Sequence, residues 1–346
     1  MDTIDLRSDT VTLPTLAMRE AMYRAELGDD VFGEDPTVNR LEEMAAERMG
    51  MEAALFVVSG TMANLVCLLT HCARGDEFIA GDLSHIFVHE VGGSAALGGL
   101  HPHTIPNLPD GTLDLGDVEA AIRGDNIHFP RTRLICLENT HNSCGGVALP
   151  IEYTDSLCEL AHRRQVSVHL DGARIFNAAI ALAVDARQLT KHVDSVSFCL
   201  SKGLSCPVGS LVCGSADFVA EARRSRKMLG GGMRQAGVIA AAGIVALEEM
   251  ADRLMDDHAN AHRLAEGLAE VPGLSMGEER VQTNLVYFDL VDDRLQPDAF
   301  LGRLQEAGVM IQWRGGRRFR AVTHWGIESR HIDVVLATIR SVMERK

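Results

Sequence analysis

Short β-rich segments alternate with helical segments over most of this sequence, and this alternation is the feature that most restricts its fold. Strands are predicted at 52–58, 77–82, 132–139, 166–171, 194–201 and 209–215. Helices are predicted between them at 61–73, 155–165 and 216–229. A strand that alternates with a helix in this way forms crossover units. The pattern therefore predicts a mostly parallel central sheet with helices on both faces.

The pattern changes near residue 248, where a charged amphipathic helix leads into a second region. Strands are predicted there at 283–290, 309–313 and 319–325, and helices at 297–308 and from 328 onward. A chain of 346 residues is long for a single core. We therefore expect a large domain over 1–247, including the N-terminal segment, and a small α+β domain over 248–346.

Composition excludes several functional classes. The formal net charge is −15, so the surface repels nucleic acid and anionic membranes, and neither is an expected partner. The eight cysteines form no C-x-x-C pair, which favours reduced thiols and a cytoplasmic setting. The N-terminal segment lacks the apolar core of a signal peptide, and the longest apolar run, 236–247, is too short to span a bilayer.

Polar residues that directly follow strands are the candidates for a ligand site, because ligands of open α/β sheets bind at the carboxyl ends of strands. In "VSGTMAN", Ser59, Gly60 and Thr61 lie where a strand turns into a helix. The free N–H groups and the dipole of a helix N-terminus can bind phosphate there. Ser59 could equally be an ordinary N-cap.

Three further stretches carry unusual residues. Asp171 ends a strand, and its carboxylate could pair with Arg174 or hold a protonated heterocyclic nitrogen, leaving Arg174 to bind a substrate anion. Lys202 follows a later strand, and it could extend its ammonium into water or form a Schiff base with a carbonyl. Lys227 and Arg234 flank a glycine triplet, which is either an exposed basic loop or a phosphate-binding loop.

Together these stretches predict one ligand with a phosphate, a pyridinium-like nitrogen and an aldehyde, which describes pyridoxal phosphate. The chain resembles the low-specificity L-threonine aldolases, a family of fold-type-I pyridoxal-phosphate enzymes, over nearly its whole length. The resemblance is closest in "IDLRSDTVT", "GDDVFGEDPTVNRLEE", "HFPRTRLICLENTHN", "HLDGARIFNAA", "CLSKGL" and "GGGMRQAG".

The resemblance implies a role for each cofactor-binding candidate. Lys202 matches the lysine that forms the Schiff base, Asp171 the partner of the ring nitrogen, and His85 the histidine stacked on the ring. The matches to the family's phosphate contacts are Gly60, Thr61 and Arg234, with Lys227 reaching in from another subunit.

The resemblance also implies substrate contacts. Ser8, Arg174 and Arg320 match the residues that hold the substrate carboxylate, and His128 matches a histidine near the substrate hydroxyl. Phe32 stands where many members have Tyr, and if that phenol helps to hold the substrate hydroxyl through a water, its loss alters substrate preference. Ser205 and Cys206 replace the Gly and Ala or Thr usual behind the lysine.

The activity implied is retro-aldol cleavage of L-threonine or L-allo-threonine to glycine and an aldehyde, through a Schiff base at Lys202 and a carbanion stabilised by the cofactor. The base for the hydroxyl proton is either His128 or His85 acting through a water. The alternatives are a β-eliminating lyase and an aryl-serine (phenylserine) aldolase on the same fold. The resemblance further implies a homodimer or homotetramer, and no catalytic metal is expected.

Overall fold

The computed structural model describes residues 3–277 and 281–344, and each of these two ranges contains helices and strands. The strands are β1 (Ile4–Asp5), β2 (Ala53–Val57), β3 (Glu77–Gly81), β4 (His101–Ile105), β5 (Thr132–Glu138), β6 (Ser167–Asp171), β7 (Ser195–Cys199), β8 (Ser210–Gly214), β9 (Leu274–Ser275), β10 (Leu285–Leu290), β11 (Val309–Met310), β12 (Gln312–Trp313) and β13 (Arg318–Val322).

The helices are α1 (Leu16–Arg24), α2 (Pro36–Met49), α3 (Gly60–His71), α4 (His85–Val88), α5 (Gly93–Ala96), α6 (Leu115–Ala121), α7 (Ile151–Arg163), α8 (Ile175–Leu182), α9 (Ala186–Leu189), α10 (Ala216–Met228), α11 (Gly237–Val245), α12 (Leu254–Ala269), α13 (Pro297–Glu306) and α14 (Ser329–Glu344). Each helix in the described ranges is too short or too polar to cross a membrane.

A seven-stranded sheet in the order β2-β8-β7-β6-β5-β3-β4 forms the first core. β8 is antiparallel to both of its neighbours, and the other six strands run in one direction. The prediction of an α/β fold with a mostly parallel sheet is therefore confirmed. All five residues of β7 and of β8 are buried, as expected for strands covered by helices on both faces.

A second core surrounds the four-stranded antiparallel sheet β12-β13-β10-β9, covered by α12, α13 and α14. β1 pairs with β11, and Leu6 is buried in this second core. α12 contributes Leu254 to the first core and Ala261 to the second. The division at 247/248 stays a prediction, but the first residues of the chain pack with the C-terminal region, because their apolar side chains are buried there.

Two strands show how tertiary pairing departs from the sequence-based expectation. β4 has the sequence "HPHTI", which is not among the predicted strands, and it lies at the edge of the large sheet, where proline is tolerated. The single strand expected at 309–313 is divided into β11, which pairs with β1, and β12, which pairs with β13. Pairing with different partners breaks the strand at Ile311.

Candidate active site

Lys202 lies in the connection between β7 and β8, at the carboxyl end of β7. Its carbonyl accepts hydrogen bonds from Thr12 Oγ1 (3.1 Å) and from the N–H of Ser205 (2.9 Å), so its backbone is held from both sides. Its half-buried side chain makes no hydrogen bond or ion pair with residues 3–277 or 281–344. A fixed backbone and an amine without a hydrogen-bond partner are what a lysine needs to react with a carbonyl.

Asp171 ends β6 and is buried beside the lysine. Its Oδ2 accepts a hydrogen bond from Asn64 Nδ2 (2.7 Å), and its Oδ1 accepts one from the N–H of Ala173 (3.0 Å). Burial opposes ionisation, but Lys202, His85 and the Asn64 bond outweigh it and hold the pKa of Asp171 below its ordinary value. The site therefore contains a buried carboxylate that is ready to pair with a cation.

His85 opens α4 and lies next to this carboxylate. Its Nδ1 is 2.9 Å from Glu90 Oε1, and this hydrogen bond raises the pKa of His85. Burial raises the pKa of Glu90 as well. Ligand atoms of His85, Glu90 and Asp171 lie within 4.8 Å of one another, close enough to hold a metal ion. The expectation of no catalytic metal therefore stays a prediction.

The N-terminus of α3 lies next to the end of β7. A Cβ on Gly60 would be 2.8 Å from Cys199 Sγ, so only glycine permits this approach. Ser59 caps the helix, accepting a bond from the N–H of Met62 (3.2 Å), as the N-cap alternative predicted. The N–H groups of Gly60 and Thr61 bond no residue within the described ranges, so they can still bind phosphate.

Two buried guanidinium groups, one of them paired with a carboxylate, lie near Lys202. Arg174 donates from Nε (2.7 Å) and Nη2 (2.6 Å) to Asp9, whose pKa is held well below its usual range, against its burial, by Arg174, Lys202 and Arg320. Arg320 donates to Asn142 Oδ1 (2.7 Å), and its buried Nε bonds nothing among the described residues. The two guanidinium groups therefore have donors to spare, and these could bind the carboxylate of a substrate.

Ser8 lies one residue before Asp9, half-buried at the same place. Its Oγ accepts bonds from the N–H (3.2 Å) and Oγ1 (2.9 Å) of Thr10. The structure thus places eight of the predicted residues near one another: Lys202, Asp171, His85, Gly60, Thr61, Arg174, Arg320 and Ser8.

The four remaining predicted residues have exposed side chains in this chain. His128 is exposed in the loop before β5, and the same loop is anchored to the start of β3 by Arg123 Nε, 2.8 Å from Glu77 Oε2. It therefore lies at the edge of the sheet opposite Lys202. Phe32 is 73% exposed, Lys227 is exposed, and Arg234 bonds Asp29 Oδ2 at 3.0 Å.

Several polar residues that support the site were not predicted from the sequence. Asp9 follows Ser8 inside an already recognised motif, and only the ion pair with the distant Arg174 identifies it. Asn64 lies one helical turn after Gly60, a spacing that places both on one face of α3 and could have identified it. Glu90 and Asn142 lie in irregular segments whose sequence carries no such signal.

Comparison with known proteins agrees with this geometry. Residues 5–291 match the Beta-eliminating lyase family. The chain is 49% identical to low-specificity L-threonine aldolase 1 of Arabidopsis thaliana, over 99% of this chain and 97% of that protein. It is 46% identical to the low specificity L-threonine aldolase of Escherichia coli K12, over 99% and 100%. The solved structure of Leishmania major threonine aldolase superimposes with a TM-score of 0.84 at 18% identity, covering 98% of this chain and 99% of that one.

Proposed function

The chain belongs to the Beta-eliminating lyase family and to the low-specificity L-threonine aldolases, and we propose that it cleaves β-hydroxy-α-amino acids such as L-threonine to glycine and an aldehyde. The observation that carries this proposal is the meeting of an uncommitted lysine, an ionised buried carboxylate and two guanidinium groups at one edge of the sheet. The enzyme is thus a carbon–carbon lyase.

The donors at this edge fit pyridoxal phosphate. Lys202 would bond its aldehyde, Asp171 would hold its ring nitrogen, His85 would lie against its ring, and the N–H groups of Gly60 and Thr61 would bind its phosphate. When bound, this cofactor withdraws the electron pair left at Cα after a bond to that carbon breaks.

The chain's own residues would bind and orient the substrate. Arg174 and Arg320 would hold the carboxylate, with Ser8 adding a hydroxyl, and this grip selects which Cα bond stands perpendicular to the cofactor ring. Arg320 Nε is buried without a partner in the described chain, and a substrate carboxylate would satisfy it. A grip that sets the Cα–Cβ bond perpendicular to the ring favours aldol cleavage.

The hydroxyl proton needs an acceptor near the substrate side chain. His85 is the candidate within the chain, where it would act through a water; its Nδ1 is held by Glu90, whose hydrogen bond raises the pKa of His85. His128 could act only if a second copy of the chain supplied it, because the sheet separates it from its own Lys202.

Product analysis tests the proposed reaction. The protein loaded with pyridoxal phosphate is incubated with L-threonine and, separately, L-phenylserine, and the products are followed by NMR. Glycine with acetaldehyde or benzaldehyde is expected. Ammonia with 2-oxobutyrate would show that a bond other than Cα–Cβ is aligned, and would favour the β-eliminating alternative.

The assignment of the lysine has its own test. Lys202→Ala should abolish the visible absorption of the bound cofactor and all turnover, whereas Lys191→Ala, at an exposed lysine far from the site, should change neither. Turnover that persists in Lys202→Ala would reject the assignment.

We also propose that at least two copies assemble, with a homotetramer as the expected state. Large apolar side chains near the N-terminus and the site are exposed, including Leu16 (86%), Tyr23 (86%) and Val91 (95%). A second copy would cover them and could supply His128 and Lys227. Light scattering should give a multiple of 37.5 kDa. Mixed Lys202→Ala and His128→Ala chains should regain activity if His128 serves the partner's site.

The cysteines support a reducing, cytoplasmic setting. All eight are buried, and no disulfide joins any of these described residues. Burial raises the pKa of the Cys206 and Cys213 thiols well above its ordinary value, and buried thiols of this kind fill space as small apolar groups.

A further inference from the structure

A continuous series of hydrogen bonds leads away from Asp171 through the protein interior. Asn64 Nδ2 donates to Asp171 Oδ2 (2.7 Å), and Asn64 Oδ1 lies 3.2 Å from His169 Nε2. His169 Nδ1 is 2.9 Å from Ser195 Oγ, which is 2.8 Å from His71 Nε2. None of these residues is used by the proposed reaction, except Asp171 itself.

Three regular elements bring this series together. Asn64 and His71 are seven residues apart on α3, two turns of helix, so they lie on the same face. His169 and Asp171 are two residues apart on β6, which places both side chains on one side of the sheet. β7 adds Ser195 beside them. Secondary structure alone therefore aligns the series, and no loop is involved.

The orientation of the Asn64 amide gives the series a direction. Its nitrogen faces Asp171 and Glu90 Oε1 (2.8 Å), and its oxygen faces Ser197 Oγ (2.9 Å) and His169. Reversing the amide would place its oxygen against the ionised Asp171 carboxylate, with no proton between them. The amide nitrogen must therefore donate toward Asp171, and the oxygen must accept from the other side.

This direction determines every other proton. The Asn64 oxygen requires a proton on His169 Nε2, and burial lowers the pKa of His169 to about 4, so the ring is neutral and its Nδ1 has no proton. Nδ1 then accepts from the Ser195 hydroxyl. Ser195 in turn accepts from His71 Nε2–H, and burial also lowers the pKa of His71 to about 4.

We propose that Asn64, His169, Ser195 and His71 form a one-way donor series whose every proton points toward Asp171, keeping that carboxylate ionised and oriented for the cofactor nitrogen. These are positioning residues, and the inference rests on the proposed pyridoxal-phosphate function. Lys202, His85 and Glu90 are the other titratable groups next to Asp171, and Glu90 shares the Asn64 amide nitrogen with it.

Cofactor binding tests the proposal without measuring turnover. The affinity of the protein for pyridoxal phosphate is compared with its affinity for the 1-deaza analogue, which has C–H in place of the ring nitrogen. His169→Leu should weaken pyridoxal phosphate binding about tenfold and leave binding of the analogue unchanged, because only the nitrogen needs Asp171 ionised. His169→Gln, which retains a donor, should recover most of the loss.

The control is His192→Leu, at an exposed histidine outside the series, which should bind both ligands normally. An equal loss for both ligands in His169→Leu would overturn the proposal, because it would show a general structural defect. Asn64→Asp places a second carboxylate against Asp171 and should weaken pyridoxal phosphate binding more than His169→Leu does.

The direction of the series can be measured in the unmodified protein, so it does not depend on a variant that folds. Nitrogen-15 NMR of histidine-labelled protein should show His169 protonated at Nε2, with no titration between about pH 6 and 8. A proton on Nδ1, or titration in that range, would overturn the series. Failure of the aldolase reaction would change neither result, so the two proposals can fail separately.

Discussion

The ion pair between Asp9 and Arg174 should stabilise the fold and prepare the carboxylate-binding site at the same time. The side chains of Asp9 and Arg174 are 0% and 6% exposed, and two hydrogen bonds of 2.6 and 2.7 Å join them. Removing one partner of such a buried pair typically costs about 3–5 kcal/mol, because the remaining charge is left uncompensated. Asp9→Asn keeps the shape and removes the charge, so the free energy of unfolding should fall by about this amount.

The measurement is urea unfolding of the cofactor-free protein at pH 7 and fixed protein concentration, followed by circular dichroism. The folded-state pKa of Asp9 is depressed, so its stabilisation is present above the unfolded-state pKa of 3.8 and is lost only as pH falls through the folded-state pKa. The full difference should therefore appear at pH 7. KM for L-threonine should also rise, because Arg174 loses its orientation.

Asp185→Asn is the matched control. Asp185 lies 3.7 Å from Arg187, but these side chains are 61% and 53% exposed, so the pair contributes less than about 1 kcal/mol. Asn can also replace Asp185 as the N-cap of α9. Equal losses in the two variants would refute the reasoning that Asp9 holds Arg174 in place.

Three further predictions test residues around the site. Ser205 has φ 63°, which strains a residue with a Cβ, and its buried hydroxyl has no partner in the described chain. Ser205→Gly should therefore raise the free energy of unfolding in urea by about 1 kcal/mol, more than Ser205→Ala does. Equal free energies of unfolding for the two variants would contradict the backbone strain. Gly60→Ala should weaken pyridoxal phosphate binding in a fluorescence titration, since its Cβ would meet Cys199 Sγ at 2.8 Å, and adding Cys199→Ala should restore it. Glu90→Gln should lower the pKa of His85 in an NMR titration and remove stability that is present below pH 6.5 and lost as pH rises through the folded-state pKa. An unchanged His85 pKa would show that another group raises it.

Strand-end positions were the most predictable part of the site. Asp171 and Lys202 follow apolar runs, and parallel strands place their carboxyl ends at one edge, so the sequence pattern alone predicts that the two side chains meet. Gly60 and Thr61 follow from the same rule. The flanking segments were less predictable, because β1 and Leu6 join the second core through pairing with β11, some 300 residues later in the chain.

His128 shows that a sequence motif is not sufficient to place a residue at the site of its own chain. Its stretch matches the family, yet the loop that carries it is anchored to Glu77 and the start of β3, at the edge of the sheet opposite Lys202. Sequence similarity identifies the residue but not the copy of the chain in which it acts. Phe32 and Arg234 present the same question, since Phe32 is exposed and Arg234 bonds Asp29.

The sequence by itself determined the alternating elements, the mostly parallel sheet and the chemical identity of the central residues, because periodicity and strand-end placement are local properties of a chain. Only the tertiary structure decided which charges meet: Asp9 with Arg174 across 165 positions, and Asp171 with Asn64 across 107. Such contacts depend on how β6, α3 and the N-terminal segment pack together, and the direction of a proton along them depends on atoms that no sequence spacing specifies.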